Sequence, residues 1–291
     1  MSIFDQKVIK YEMKPLSSLE KVFPDETPVY RMECQMLSGL WGETVSFQVA
    51  YTGDFVMRER LDVRVVSELA EHVHVRTVEM VPVGRATNGI VDDNYLKTTS
   101  GLYPDLLKDL KDGKVIVYSR QWRSLWVDVD ITNEIPAGEY EIELQLVKEG
   151  EVVCSTKQKV TVVGTELPKL DIMHTEWMHA DCLADYYHVE VFSEEHWKLL
   201  ENYFQEYVKR DCNMMLTPLF TSPLDTAIGL ERTTCQLVDV EVKDGQYIFG
   251  FENLKRWIDL CKKCGIEYFE MSHLFSQWGA KYAPKVVATV N

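Results

Sequence analysis

The apolar residues of this chain recur with a period of two as far as residue 165 and then abandon it, and that change constrains the fold more than any other feature. TVSFQVAY (44–51), LDVRVV (61–66), VHVRTVEMVPV (73–83), KVIVYS (114–119), SLWVDVDI (124–131), YEIELQLV (140–147) and KVTVVG (159–164) alternate apolar with polar residues. Runs of this kind are strands with one buried face, and about seven of them separated by turn signals predict an antiparallel β-sandwich over residues 1–165. Tyr51-Thr-Gly-Asp54 and Lys148-Glu-Gly-Glu151 carry turn chemistry, and Pro136-Ala-Gly138 sets a rigid turn before a strand with outward Glu and inward Ile and Leu.

Leu167-Pro168-Lys169 reads as a linker, and beyond it strand and helix patterns alternate over residues 166–291. LDIMHTEW (170–177) is the first predicted strand. Ser193 opens a helix whose stripe is Trp197, Leu200, Phe204, Tyr207 and Val208, and Asp211-Cys-Asn213 ends it. NMMLTPLF (213–220) is a second, almost wholly apolar strand of the kind a parallel sheet buries on both faces. Asp244-Gly245 marks a hairpin turn between two alternating runs. Residues 251–264 form a helix with Leu254, Trp257, Ile258 and Cys261 inward, stopped by Gly265, and IEYFEMS (266–272) is the third strand.

Three βα-type strands imply a parallel sheet. A closed eight-stranded barrel needs at least roughly 200 residues, whereas residues 166–291 number 126. The expected fold class is therefore multi-domain β plus α/β: the antiparallel sandwich, then an incomplete (β/α)8 TIM-type barrel of about three βα strands, cut short soon after the third. Strands without neighbours leave an open apolar edge, so self-association through that edge is expected.

Charge narrows the partners. With 31 Lys and Arg against 46 Asp and Glu, the net charge is −15, and the average field repels phosphate backbones and anionic membrane surfaces. No nucleic acid and no membrane partner is expected, while a neutral glycan is not penalised. The N-terminus carries charges with no apolar signal-peptide core, and no apolar run approaches the roughly 20 residues of a membrane span. Seven scattered cysteines, at 34, 154, 182, 212, 235, 261 and 264, fit reduced thiols better than a disulfide framework, so a cytoplasmic location is expected.

In a (β/α) barrel, ligands sit at the C-terminal ends of strands and in the loops after them. Three clusters fall there: His174, Glu176, Trp177, His179 and Asp181 after the first strand; Asp225 with Glu231-Arg232 after the second; and His273, Gln277, Trp278 and Lys281 after the third. Aromatic faces stack on sugar rings and polar side chains give directional bonds to hydroxyls, so such loops suit a glycan; each cluster also reads as a hydrogen-bonded strand end. His174, His179 and Asp181 are too irregularly spaced to define a metal site, and Cys261-Lys-Lys-Cys264 has no second CxxC. No metal and no cofactor is expected. No phosphate loop, GxSxG elbow or HExxH is present.

HTEWMHADCLADYYHVEVFSEEHW, LTPLFTSPLDT and EMSHLFSQWGAKYAPK resemble the start of the catalytic domain of glycoside hydrolase family 123 and its uncharacterised relatives. GETVSFQVAY, GLYPDLL, WRSLWVDV and PAGEYEIEL resemble that family's N-terminal domain, so the resemblance spans nearly the whole chain. It implies a β-N-acetylgalactosaminidase-like hydrolase in which the substrate's own 2-acetamido oxygen attacks the anomeric carbon, an exception to the usual two-carboxylate scheme. An adjacent Asp orients the acetamido group, and a Glu protonates the leaving oxygen. The one Asp-Glu step here, Asp25-Glu26, lies in the sandwich, so the catalytic pair is expected beyond Asn291 and no catalytic residue is assigned. What the resemblance carries over is a pocket rim of candidate substrate-binding residues: His174, Trp177, His179, Asp181, Asp225, His273 and Trp278. The alternative is a non-catalytic glycan-binding or scaffold protein.

Overall fold

The computed structural model describes residues 10–28, 36–55, 58–87, 89–169, 171–221, 224, 230–273, 275 and 283–291. The chain divides into two compact units, Met1–Pro168 and Lys169–Asn291.

Among the described residues the N-terminal unit holds ten strands: β1 (Lys10–Ser17), β2 (Met36–Trp41), β3 (Thr44–Asp54), β4 (Glu59–Val66), β5 (Val73–Val83), β6 (Gly101–Asp109), β7 (Lys114–Val117), β8 (Arg123–Asp130), β9 (Gly138–Lys148) and β10 (Glu151–Glu166). They form two five-stranded sheets, ordered β1-β3-β8-β5-β6 and β2-β10-β9-β4-β7. Every pairing is antiparallel except β10 with β2, which is parallel. The inward residues of each alternating run supply one half of the core: Phe47, Val49, Leu125, Val127 and Val129 from the first sheet, and Leu61, Ile142, Leu144, Leu146 and Val160 from the second. Each such side chain gains about 1.5–3 kcal/mol on leaving water, which fixes the register, since a one-residue slip would turn the apolar set outward.

Two edge strands escape the alternation rule. β1 carries Pro15 and β6 carries Pro104, and both lie at the outer margins of the first sheet, where a missing backbone donor breaks no ladder bond. The expected turn at residues 51–54 is not one: β3 runs on to Asp54, with Gly53 opposite Tyr11. Gly53 serves close approach instead, because a Cβ there would fall 2.3 Å from the Phe55 ring.

The C-terminal unit contains α1 (Ala180–Tyr187), α2 (Glu194–Val208), β11 (Met214–Thr217), β12 (Asp239–Lys243), β13 (Gln246–Gly250), α3 (Glu252–Cys264), β14 (Tyr268–Met271) and β15 (Thr289–Val290). Ser193 caps α2, its hydroxyl accepting from the His196 N–H at 3.2 Å. Trp197, Leu200 and Phe204 are buried on the predicted stripe, and Phe204 meets Trp257 of α3 edge-on at 5.1 Å. α3 ends at Gly265, whose φ of 105° is the left-handed cap that glycine adopts without strain.

β11 and β14 pair in parallel, Met214 opposite Tyr268 through Thr217 opposite Met271. β12 and β13 form the hairpin turned by Asp244-Gly245, and β15 adds to β12 in parallel. Of the three expected βα strands, the described residues thus contain two, β11 and β14. The segment expected as the first strand, 170–177, lacks strand structure over its described residues 171–177. Ile172 and Met173 are both 64% exposed, so the apparent alternation has no face to bury. Its link to the sheet is local: the His174 carbonyl accepts from the N–H groups of Asn213 and Met214. The other two strands are shorter than the apolar runs that predict them, the first ending at Pro218, which has no donor to continue a ladder.

Candidate functional site

The carboxyl ends of β11 and β14 meet at one rim, where the Ser272 N–H donates to the Thr217 carbonyl at 2.9 Å. Glu270 stands at the end of β14 and His273 two residues past it, while Trp177 arrives from the segment before α1. The Trp177 indole N–H donates to Glu270 Oε2 at 3.1 Å, and His273 Nε2 lies 3.2 Å from Glu270 Oε1. The Trp177 and His273 rings pack edge-on, with centroids 5.3 Å apart. One carboxylate therefore accepts from the indole at one oxygen and has the imidazole within ion-pair distance of the other, and Trp177 remains 40% exposed.

Beside this cluster is a cavity of about 30 Å³, lined by Met178, His179, Asp181, Pro218, Arg232 and Ser272 among others. His179 caps the start of α1, and Asp181 lies in its first turn, where a negative charge complements the helix dipole. Asp181 is bidentate to Arg232, Nε to Oδ2 at 2.8 Å and Nη2 to Oδ1 at 3.2 Å, with both side chains 9% exposed. Burial alone would lower the Arg232 pKa, but the hydrogen bonds and charge of Asp181 outweigh it and hold the guanidinium above its ordinary value. Arg232 also donates to the Leu224 carbonyl at 2.9 Å, so the pair links Leu224 and Arg232 to the start of the helix. Cys235, buried nearby, has its thiol pushed well up by that burial and then by the Asp181 charge, which keeps it protonated.

Of the seven residues expected on the rim, Trp177 and His273 come together around Glu270, and His179 and Asp181 line the adjoining cavity. His174 sits beside the start of β11 rather than its end, with Nδ1 3.1 Å from the Asp211 carbonyl and Nε2 3.4 Å from Glu176. Asp225 and Trp278 lie outside the described residues. Glu270 is absent from the expected set because within IEYFEMS it reads as an ordinary polar residue of a strand; its partner Trp177 is 93 positions away. Arg232 was visible as a polar loop residue, but nothing local in the sequence pairs it with Asp181. Among the described residues, no group of three or more His, Cys, Asp and Glu side chains is placed to hold a metal ion.

A sandwich unit followed by a unit that sets polar and aromatic side chains at the ends of parallel strands defines a β plus α/β protein. Residues 177–290 match the glycoside hydrolase 123 catalytic domain. A solved family 123 glycoside hydrolase from Clostridium perfringens, from work on glycolipid glycan hydrolysis, aligns over 91% of this chain and 48% of its own, with a TM-score of 0.66 and 13% identity. That likeness is one of fold, and the chain spans about half the length of the structure it matches. A β-glucosidase from Listeria innocua aligns over 55% of this chain and 17% of its own at a TM-score of 0.26 and 10% identity, too weak to carry an argument. No curated protein matches the sequence. Among the described residues, no helix is long and apolar enough to cross a membrane.

Proposed function

We propose that the C-terminal unit supplies part of the sugar-binding rim of a β-N-acetylgalactosaminidase-type glycoside hydrolase that works by substrate assistance. The observation that carries this reading is the Trp177–Glu270–His273 cluster at the carboxyl end of β14, within the segment that matches the family 123 catalytic domain. Trp177, 40% exposed, offers a platform for the apolar face of a pyranose, and Glu270, held by the indole N–H, keeps lone pairs for sugar hydroxyls. Asp181 and Arg232 line the cavity beside the same cluster. In this reading β11 and β14 are strands of a (β/α) barrel.

Substrate assistance requires an Asp to orient the acetamido group and a Glu to protonate the leaving oxygen. The one Asp-Glu step in the sequence, Asp25-Glu26, belongs to the sandwich unit, where Lys97 pairs with both carboxylates at 3.4 and 2.8 Å. These residues are engaged as surface ion pairs, which favours the second reading, a glycan-binding role without catalysis for these 291 residues taken alone. Incubation with a chromogenic N-acetyl-β-galactosaminide tests both. The proposal expects no release of chromophore by the 291-residue chain; turnover above the buffer blank would show that the acid is present in it after all.

A further inference from the structure

The two sheets of the sandwich part at one side, where β7 closes the second sheet and β5 and β6 close the first, and a cavity of about 630 Å³ opens between them. Elsewhere the sheets face each other through Leu, Val and Ile. Here the walls carry Arg58, Arg60, Lys108, Lys111, Lys114 and Arg123. Arg60 is paired with Asp112 at 2.8 Å and Lys114 with Asp62 at 3.2 Å. Among the described residues, Arg58, Lys108, Lys111 and Arg123 have no carboxylate within ion-pair distance. Of the acids on the walls, Glu59 is taken up by Lys148 at 2.9 Å and by the Tyr11 hydroxyl, which leaves Glu79 and Asp109. In a chain of net charge −15, a cationic recess of this size runs against the average field.

Arg123 gives the recess a fixed point. Its guanidinium stands 5.1 Å over the Tyr118 ring and donates from Nη2 to Gln121 at 3.1 Å, while its Nε is buried with no partner. A buried donor left unsatisfied costs about 1–3 kcal/mol, which an incoming acceptor would recover. Beneath it Tyr51, fully buried, directs its hydroxyl to the Ile116 carbonyl at 3.4 Å. Lysines at the mouth and a stacked arginine at the base suit an anion on a larger polar body: the guanidinium fork takes two oxygens of a sulfate or carboxylate, and the lysines act as mobile point charges. The volume lies within the range of small-ligand pockets, large enough for about two sugar rings. It is too confined for a polynucleotide, which the −15 net charge would also repel.

We propose that this recess binds an acidic oligosaccharide, one carrying sulfate or carboxylate groups, so that the sandwich is a glycan-binding module in its own right. The site lies wholly within the N-terminal unit, and its failure would leave the reading of the β11–β14 rim standing.

The test is titration calorimetry on the intact chain with three probes at matched ionic strength: a sulfated disaccharide, its unsulfated counterpart, and inorganic sulfate. The sulfated disaccharide should bind at least about tenfold more tightly than either of the others, with affinity falling as salt rises. Lys108→Gln with Lys111→Gln, both on exposed positions, should weaken it by about tenfold at unchanged melting temperature, and Arg123→Gln should weaken it further. Equal affinity for the neutral disaccharide, equal affinity for inorganic sulfate alone, or binding unmoved by the lysine pair would overturn the proposal.

Discussion

Trp177 Nε1 and Glu270 Oε2 lie 3.1 Å apart, joining a segment without regular structure to the end of β14. The bond fixes the indole edge while Trp177 stays 40% exposed, and His273 Nε2 lies 3.2 Å from the other oxygen of the same carboxylate. Charge on the acceptor strengthens such a bond. Glu270→Gln, which keeps an acceptor of the same shape, should therefore weaken it: the Trp177 indole N–H proton resonance should move upfield, with a stability change under about 1 kcal/mol because the cluster is solvent-accessible. An unmoved resonance would mean that the two side chains are not bonded in solution.

The Asp181–Arg232 pair should behave differently, since neither side chain can turn to water. Removing one partner of a buried ion pair costs about 3–5 kcal/mol, mostly from the charge left behind. Asp181→Asn should lower the unfolding free energy of the C-terminal unit by an amount in that range, whereas Asp181→Leu with Arg232→Met should restore much of the loss. Tryptophan fluorescence during urea unfolding reads both. A double variant as unstable as the single one would show that the pair's geometry, and not its uncompensated charge, carries the effect.

His196 makes stability sensitive to acid. It is fully buried, accepts from the Phe192 N–H through Nδ1 at 2.9 Å and faces the Ala180 carbonyl with Nε2 at 3.0 Å. Those partners select the neutral Nε2–H tautomer, and a proton on Nδ1 would oppose the Phe192 N–H. Burial lowers the His196 pKa from 6.5, against smaller upward pulls from the Ala180 bond and the Asp181 charge. A depressed folded pKa contributes stability that is present above 6.5 and is lost as pH falls through the folded value, because the unfolded chain then binds the additional proton. The melting temperature of the C-terminal unit should fall between pH 7 and pH 5 more steeply in the native chain than in His196→Gln. Parallel pH profiles would remove His196 from the account.

The edges of the β11–β14 pair bear on assembly. Among the described residues neither strand pairs with any strand but the other, and Tyr268 and Met271 of β14 are 42% and 45% exposed. An open edge with exposed apolar residues is a template for pairing. Light scattering after size exclusion should show an average mass that rises with protein concentration. A constant monomer mass up to about 100 μM, a range in which weak association of roughly −5 to −6 kcal/mol would show, would contradict this expectation.

Local chemistry made much of the fold legible. α2 is announced by the Ser193 cap and its apolar stripe, the β12–β13 hairpin by Asp244-Gly245, and the sandwich core by strict alternation in segments such as 124–131 and 140–147. What escaped depends on neighbours. β1 and β6 tolerate proline only because they are edges, which the sequence of either strand does not disclose. Residues 171–177 look apolar enough for a strand, yet the backbone meets β11 at one carbonyl and the side chains of Ile172 and Met173 face water. At the rim, residue types were readable but partnerships were not: Glu270 with Trp177, and Asp181 with Arg232, are pairings that only the folded chain creates.

Calorimetric titration of N-acetylgalactosamine into the 291-residue chain, beside Trp177→Ala, addresses the sugar-binding rim most directly. The account predicts saturable binding without hydrolysis, weakened about tenfold when the indole platform is removed and the melting temperature is unchanged. A flat isotherm, or equal affinity in the variant, would contradict it.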